Sequence, residues 1–220
     1  YLAQKILSES KFDAESLFAA KTMEEFTAKI TEKQKADIAK LEAAKLDPNF
    51  VALQKKAMET EMFQMKMYFG EKLKQQKLNN TQAPSFDYEN HAGGKTKLED
   101  LRGKYVYIDV WATWCGPCRA EIPSLQKIEE KYHDKKIAFV SISVDEQKDY
   151  EKWKKFVVEK QLGGIQLYAD KNWMSDFIKA FGINSIPRFI LIDPTGKVVN
   201  ADADRPSNPK LQEQLDALLK

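Results

Sequence analysis

Along residues 1–80 the apolar positions recur at three- and four-residue intervals, and beyond them they fall in short runs separated by turn residues. The first pattern predicts helices. Met23, Phe26, Ile30, Ile38 and Leu41 share one helical face, with Gln34 interrupting the stripe. Thr22-Met23-Glu24-Glu25 reads as a capping box, with Thr22 at the N-cap and Glu25 reaching back to it. Asp47-Pro48 ends that helix and starts another, Asp47 as N-cap and Pro48 at the first helical position. Val51, Met58, Met62, Met65 and Phe69 mark the second stripe. With a shorter helical piece near Phe12–Ala20, this is a helical hairpin region. Its Met-rich stripe either packs on neighbouring elements or offers an adaptable peptide-binding face.

The second pattern predicts alternating strands and helices. Lys104–Val110, Ile137–Val144 and Ile165–Tyr168 read as strands. Arg119–Tyr132, interrupted at Pro123, reads as a helix, as do Gln147–Gln161, Asn172–Phe181 and Asn208–Lys220. Arg188–Asp193 and Lys197–Ala201 form a hairpin about Asp193-Pro194-Thr195-Gly196. The order implies an α/β fold, a mixed sheet with flanking helices preceded by an all-α region.

Composition divides the chain at the same place. Residues 1–80 hold one Gly, one Pro, one Val and neither Trp nor Cys, while residues 81–220 hold all four Trp and both Cys. The expected domains are therefore 1–80 and 81–220, with Leu78–Pro84 as the linker. The net charge of +2 gives no electrostatic reason to bind nucleic acid. The longest run without Asp, Glu, Lys or Arg is nine residues, against the ~20 of a spanning helix. The chain begins at Tyr1 rather than Met, so it reads as a processed product whose signal or anchor has been removed.

The two cysteines, Cys115 and Cys118, lie just past a predicted strand at the start of a predicted helix. Two intervening residues bring both sulfurs within disulfide reach across one turn. The helix N-terminus favours the Cys115 thiolate, making it the expected attacking and exposed sulfur of the reduced pair, with Cys118 resolving the mixed disulfide. Trp114 can cover one side of the site. A structural zinc ion would need four ligands, and only His91 and His133 are available without paired spacing, so no metal is expected.

Trp111-Ala112-Thr113-Trp114-Cys115-Gly116-Pro117-Cys118 resembles the active-site motif of the TlpA/ResA-like branch of the thioredoxin superfamily. Ala83–Phe86 and Leu98–Lys104 resemble the segment ahead of that branch's core, and the helix-bearing insertion at about Asp145–Asp170 fits it. The resemblance covers about residues 83–220 and leaves 1–80 unidentified. It implies a thioredoxin-like fold and a thiol-disulfide oxidoreductase that needs no cofactor. It further implies a cis bond before Pro187, facing the cysteines, with Ile186 offering backbone groups to a substrate; Trp114, Gly116 and Pro117 complete that surface.

Asp109 interrupts an apolar strand six residues before Cys115, so burial should raise its pKa. The resemblance makes it the acid that exchanges a proton with Cys118; the alternative is a partly hydrated Asp or one paired with Lys104 or Lys136. Glu121, three residues after Cys118, either tunes the cysteines, as the resemblance implies, or is an exposed helix side chain. Arg188 is either a contact for acidic partners or solvated.

Gly116-Pro117 between the cysteines matches thioredoxin, whose potential is about −270 mV, and points to a reductant. The expected partners are a protein disulfide substrate and an upstream thiol donor, with a homodimer formed through residues 1–80. The resemblance implies a periplasmic or outer-envelope location. Disulfide isomerase is the alternative within redox chemistry, and a non-catalytic helical interaction module with a docking thioredoxin-like part is the alternative outside it. A peroxiredoxin-like peroxidase would need Thr and Pro where Ala112 and Ile108 stand.

Overall fold

The computed structural model describes residues 14–220 and divides the chain into two compact units, Tyr1–Lys74 and Gln75–Lys220. In the first unit, α1 spans Ala14–Phe18, α2 Met23–Ala43, and α3 begins at Pro48 and ends at Gln76, just past the boundary. The part of the expected short helix that precedes Ala14 lies outside the described residues.

Thr22 caps α2 as expected, its side chain accepting the Glu25 N–H at 3.1 Å. The Glu25 carboxylate reaches past the cap to the Lys21 N–H, at 2.9 Å. Asp47 caps α3 by accepting the N–H groups of Asn49 and Phe50, both at 3.0 Å. The buried face of α2 is Phe26, Ile30, Asp37 and Leu41, so Asp37 rather than Ile38 continues the stripe. Four residues from Asp37 to Leu41 keep one face, whereas Ile38 is rotated off it by about 100°. Phe26 stacks on Phe69 with ring centroids 4.0 Å apart, and Met62 and Met65 pack against this cluster.

The second unit is a seven-stranded sheet between helices. Its strands are β1 (Asp87–Asn90), β2 (Lys95–Lys97), β3 (Tyr105–Trp111), β4 (Ile137–Ser143), β5 (Ile165–Tyr168), β6 (Arg188–Ile192) and β7 (Val198–Asn200). The spatial order is β2-β1-β5-β4-β3-β6-β7. β3, β4 and β5 are mutually parallel, and the remaining pairs are antiparallel. The helices are α4 (Gly116–Lys131), α5 (Tyr150–Glu159), α6 (Asp176–Ala180) and α7 (Pro209–Leu218).

Strand alternation assigns the two faces. Val106, Ile108 and Val110 of β3 pack with Ile142, Leu167, Trp153 of α5 and Phe177 of α6. Tyr107 packs on the opposite face with Phe139, Phe189, Leu125 and Ile128 of α4, and Leu211 and Leu215 of α7. Both faces are thus covered, as parallel strands require.

Three sequence expectations change. The β1–β2 hairpin was not foreseen; it turns through Gly93 and Gly94 at φ 107° and 69°, values open to glycine. The helix after the cysteines begins at Gly116 and runs through Pro123 without interruption. Pro123 removes one backbone hydrogen bond, and burial of Leu125 and Ile128 in the next turn holds the helix across that gap. The expected helices at 147–161 and 172–181 each divide into a 3-10 turn followed by α5 or α6.

Candidate active site

The parallel run of β3 ends at Trp111, and the chain turns through Ala112–Cys115, the Cys115 N–H donating to the Ala112 carbonyl at 3.0 Å. Cys115 is the N-cap of α4 and Cys118 lies in its first turn. Their sulfurs are joined in a disulfide, with Cα atoms 5.3 Å apart. Cys115 Sγ accepts the Cys118 N–H at 3.2 Å, so the backbone at the helix start already presents a donor to this sulfur. In this oxidised form exposure does not separate the two sulfurs: Cys115 is 4% and Cys118 2% exposed. Both belong to the core cluster that includes Trp111 and Ala112.

Trp114 is 51% exposed, and Gly116 and Pro117 are exposed beside it. Val110 pairs with Arg188 across the sheet, so Pro187 sits just beyond the register, opposite the end of β3 where the chain turns to Cys115. The Ile186–Pro187 bond is cis, and both residues are half-buried. Arg188 turns inward, donating through Nε and Nη2 to the Ala201 carbonyl at 3.1 and 2.8 Å, with Nη1 3.2 Å from Asp202.

Asp109 projects from β3 into the face covered by α4 and α7. Its neighbour two residues back, Tyr107, donates to the Asp204 carbonyl at 2.7 Å. Asp109 Oδ1 is buried with no hydrogen-bond partner among the described residues, and neither Lys104 nor Lys136 forms an ion pair with it. Burial pushes its carboxyl up to about 8, and the negative charges of Glu121 and Glu129 add to the rise.

Glu121 is buried. Ser207, in the loop before α7, donates to it through its N–H and its hydroxyl, both at 3.0 Å, and Arg205 lies 4.0 Å away. A fixed, enclosed carboxylate replaces the exposed helix side chain that was one of its two expectations.

Two residues that sequence reasoning passed over hold the approach to the cysteines. Asp145, fully buried, accepts the Thr113 N–H at 2.9 and 3.2 Å, the Thr113 hydroxyl at 2.8 Å and the Ser143 hydroxyl at 2.7 Å. Tyr168 donates to the Asp145 carbonyl at 2.9 Å. The only sequence signal was an acid directly after an apolar strand. Among the described residues, no three His, Cys, Asp or Glu side chains come together as a metal site. Nor is any described helix long and apolar enough to cross a membrane.

Comparison with known proteins points one way. Residues 80–201 match the model of the AhpC/TSA family. Thiol-disulfide oxidoreductase ResA of Bacillus thuringiensis subsp. konkukian is 31% identical over 150 residues, 68% of this chain and 84% of the relative. A solution structure of a Bacteroides vulgatus protein, described as a thiol-disulfide oxidoreductase, is 49% identical with a TM-score of 0.56, covering 64% of this chain and 90% of that one. A Chlorobium tepidum structure described as thiol:disulfide interchange protein DsbE is 28% identical with a TM-score of 0.55, covering 64% and 98%.

Proposed function

We infer, for a chain that belongs to the AhpC/TSA family and stands within it among the ResA-like thiol-disulfide oxidoreductases, that Cys115 and Cys118 reduce disulfides of protein substrates. The observation that carries this reading is the placement of Cys115 as the cap of α4, with its sulfur accepting the Cys118 N–H. That N–H and the positive end of the helix dipole stabilise negative charge on Cys115 and not on Cys118.

In the forward reaction the Cys115 thiolate attacks one sulfur of the substrate disulfide. A Cys115–substrate bond forms, and the other substrate sulfur leaves as a thiolate that takes a proton from water. Cys118 then loses its proton and attacks Cys115 Sγ, so the intramolecular disulfide forms and the second substrate sulfur departs. Two electrons pass to the substrate. An external thiol donor returns them by the reverse steps.

Asp109 is the group assigned to take the Cys118 proton. With its carboxyl held at about 8, Asp109 is mostly protonated at neutral pH, and its ionised fraction is the base that takes the Cys118 proton, a stronger base than an ordinary aspartate. Glu121, fixed by Ser207, adds negative charge beside it and thereby tunes the pair. Trp114, Gly116, Pro117, Ile186 and Pro187 form the surface on which an extended substrate segment lies. Gly116-Pro117 favours reduction over strong oxidation, and the family relationship supports an extracytoplasmic location with a dedicated donor. The helical unit, which carries no cysteine, is assigned to partner choice or to homodimer formation.

Insulin reduction with a dithiol donor, run beside recovery of scrambled ribonuclease, tests this. Multiple turnovers on insulin, lost in Cys115→Ser, are expected, with little recovery of the scrambled protein. Efficient recovery without insulin turnover would replace reductase by isomerase.

A further inference from the structure

Asp109 is one end of a polar row. It pairs with Ser141 of β4, and Ser141 pairs with Gln166 of β5. Residues in register on parallel strands point to one face, with about 4.8 Å from strand to strand. The three side chains therefore run side by side beneath α4, and all three are buried. The neighbouring row on that face is the apolar pair Tyr107 and Phe139. Asp109 Oδ1 and Gln166 Oε1 are both acceptors without a partner among the described residues. The Gln166 amide nitrogen is committed to the Gly163 carbonyl, at 2.7 Å.

The far end of the row meets Glu129. Its carboxyl lies so close to the glycine pair before β5 that a Cβ on Gly163 would stand 2.4 Å from Oε2, and one on Gly164 2.8 Å from Oε1. Glu129 is half-buried, more open to water than Asp109 or Glu121, and lies against the backbone that Gln166 holds. Desolvation pushes its carboxyl up to about 7, so it loads and releases a proton near neutrality.

We propose that Asp109, Ser141 and Gln166 line a proton path across the sheet, and that Glu129 is its outlet to solvent. The path rests on Asp109 serving Cys118 as described above. One proton moves from the Cys118 thiol to the ionised Asp109 carboxylate. No hydrogen bond joins Asp109 Oδ1 to Ser141 among the described residues, so the proton passes by water bridging Asp109 to the Ser141 hydroxyl and Ser141 to Gln166 Oε1. It then reaches the Glu129 carboxylate and leaves to bulk water. Gln166 orients and does not carry. The titratable and charged groups around Asp109 are Glu121 and Glu129 from α4 and Tyr107 from β3. Asp204 and Arg205, from the loop before α7, face Tyr107 and Glu121 respectively. Replacing Ser141 leaves all of these charges in place.

The test is single-turnover oxidation of the reduced protein by excess model disulfide, followed by tryptophan fluorescence between pH 5 and 9. Asp109→Asn, Ser141→Ala, Ser141→Thr and Glu129→Gln are compared with the parent after thermal melts confirm folding. The path predicts that S141A slows the resolving step at least about tenfold and that S141T, which keeps the hydroxyl, restores it. It also predicts that E129Q slows the step in dilute buffer and recovers with concentrated imidazole buffer, which supplies a small proton carrier. A parental rate in S141A, with E129Q only moving the pH midpoint downward at full limiting rate, would reduce Glu129 to a charge effect and overturn the path. A slow D109N beside parental S141A and E129Q overturns the path alone; a parental D109N overturns the assignment of Asp109 as well. If S141A does not fold, the buffer dependence of E129Q decides.

Discussion

Asp145 accepts both the backbone N–H and the hydroxyl of Thr113, so a fully buried carboxylate holds the residue two places before Cys115. The contact ties the turn after β3 to the end of β4, from which Ser143 supplies a further donor. It fixes the start of α4, and with it the direction of Cys115.

Asp145→Asn should therefore affect both stability and turnover. The amide turns a donor towards groups that already donate, leaving at least one buried N–H or O–H unpaired. A loss of about 2 kcal/mol is expected, visible as a lower melting temperature, together with slower insulin reduction. A variant with parental stability and rate would mean that Thr113 is held by the rest of the turn alone.

Asp109 sets a pH dependence of known sign. Its folded value of about 8 lies above the ~4 of an unfolded aspartate. Between those values the native state keeps a proton that the unfolded chain has released, so stability falls as pH rises through the window. One such group contributes a slope approaching about 1.4 kcal/mol per pH unit. Urea unfolding at pH 5, 6, 7 and 8 should show a shallower decline in Asp109→Asn, with a remaining slope up to about pH 7 from Glu129. Identical slopes in variant and parent would place the proton elsewhere.

Gly164 and Gly182 offer a controlled pair. Both have φ near +60°, at 61° and 60°, but a Cβ on Gly182 meets nothing within 4 Å, whereas one on Gly164 would lie 2.7 Å from the Phe139 carbonyl oxygen. Gly182→Ala should cost about 1–2 kcal/mol from backbone strain alone. Gly164→Ala should cost about 1–3 kcal/mol more because packed backbone must also move. Chemical denaturation of the two variants measures the difference.

The parts of this molecule that sequence made legible are those encoded by neighbours in the chain. Cys115 and Cys118 at a strand-to-helix junction, the caps Thr22 and Asp47, and an acid inside the apolar run of β3 are all local signals. The clamp on Thr113 was not visible because Asp145 is 32 residues away, nor was the anchoring of Glu121, because Ser207 is 86 residues away. The β1–β2 hairpin escaped for another reason. In Asp87–Asn90 only Tyr88 is buried, and the edge strand Lys95–Lys97 has no buried residue, so neither strand carries an apolar pattern. Asp37 took the position expected of Ile38 because helical rotation, not hydrophobicity, decides which side chain faces inward.

A division of labour between the two units predicts the behaviour of a shortened chain. Residues 75–220 hold the whole sheet, both core faces and the disulfide, and about 145 residues suffice for one core. Removing residues 1–74 should leave a folded protein by circular dichroism that reduces insulin at near-parental rate. Weaker reaction with the native partner, or a changed mass by light scattering, is expected at the same time. A folded but inactive fragment would move part of the active site into the helical unit.

The proposed roles are Cys115 as the attacking sulfur and Cys118 as the resolving one. Reduced Cys118→Ser, mixed with a peptide bearing one disulfide, should accumulate one peptide per chain, and peptide mapping by mass spectrometry should place the adduct on Cys115. Cys115→Ser should form no such adduct on the same timescale. An adduct on Cys118 in Cys115→Ser, formed as fast as the one on Cys115 in Cys118→Ser, would mean that the two sulfurs do not have distinct roles.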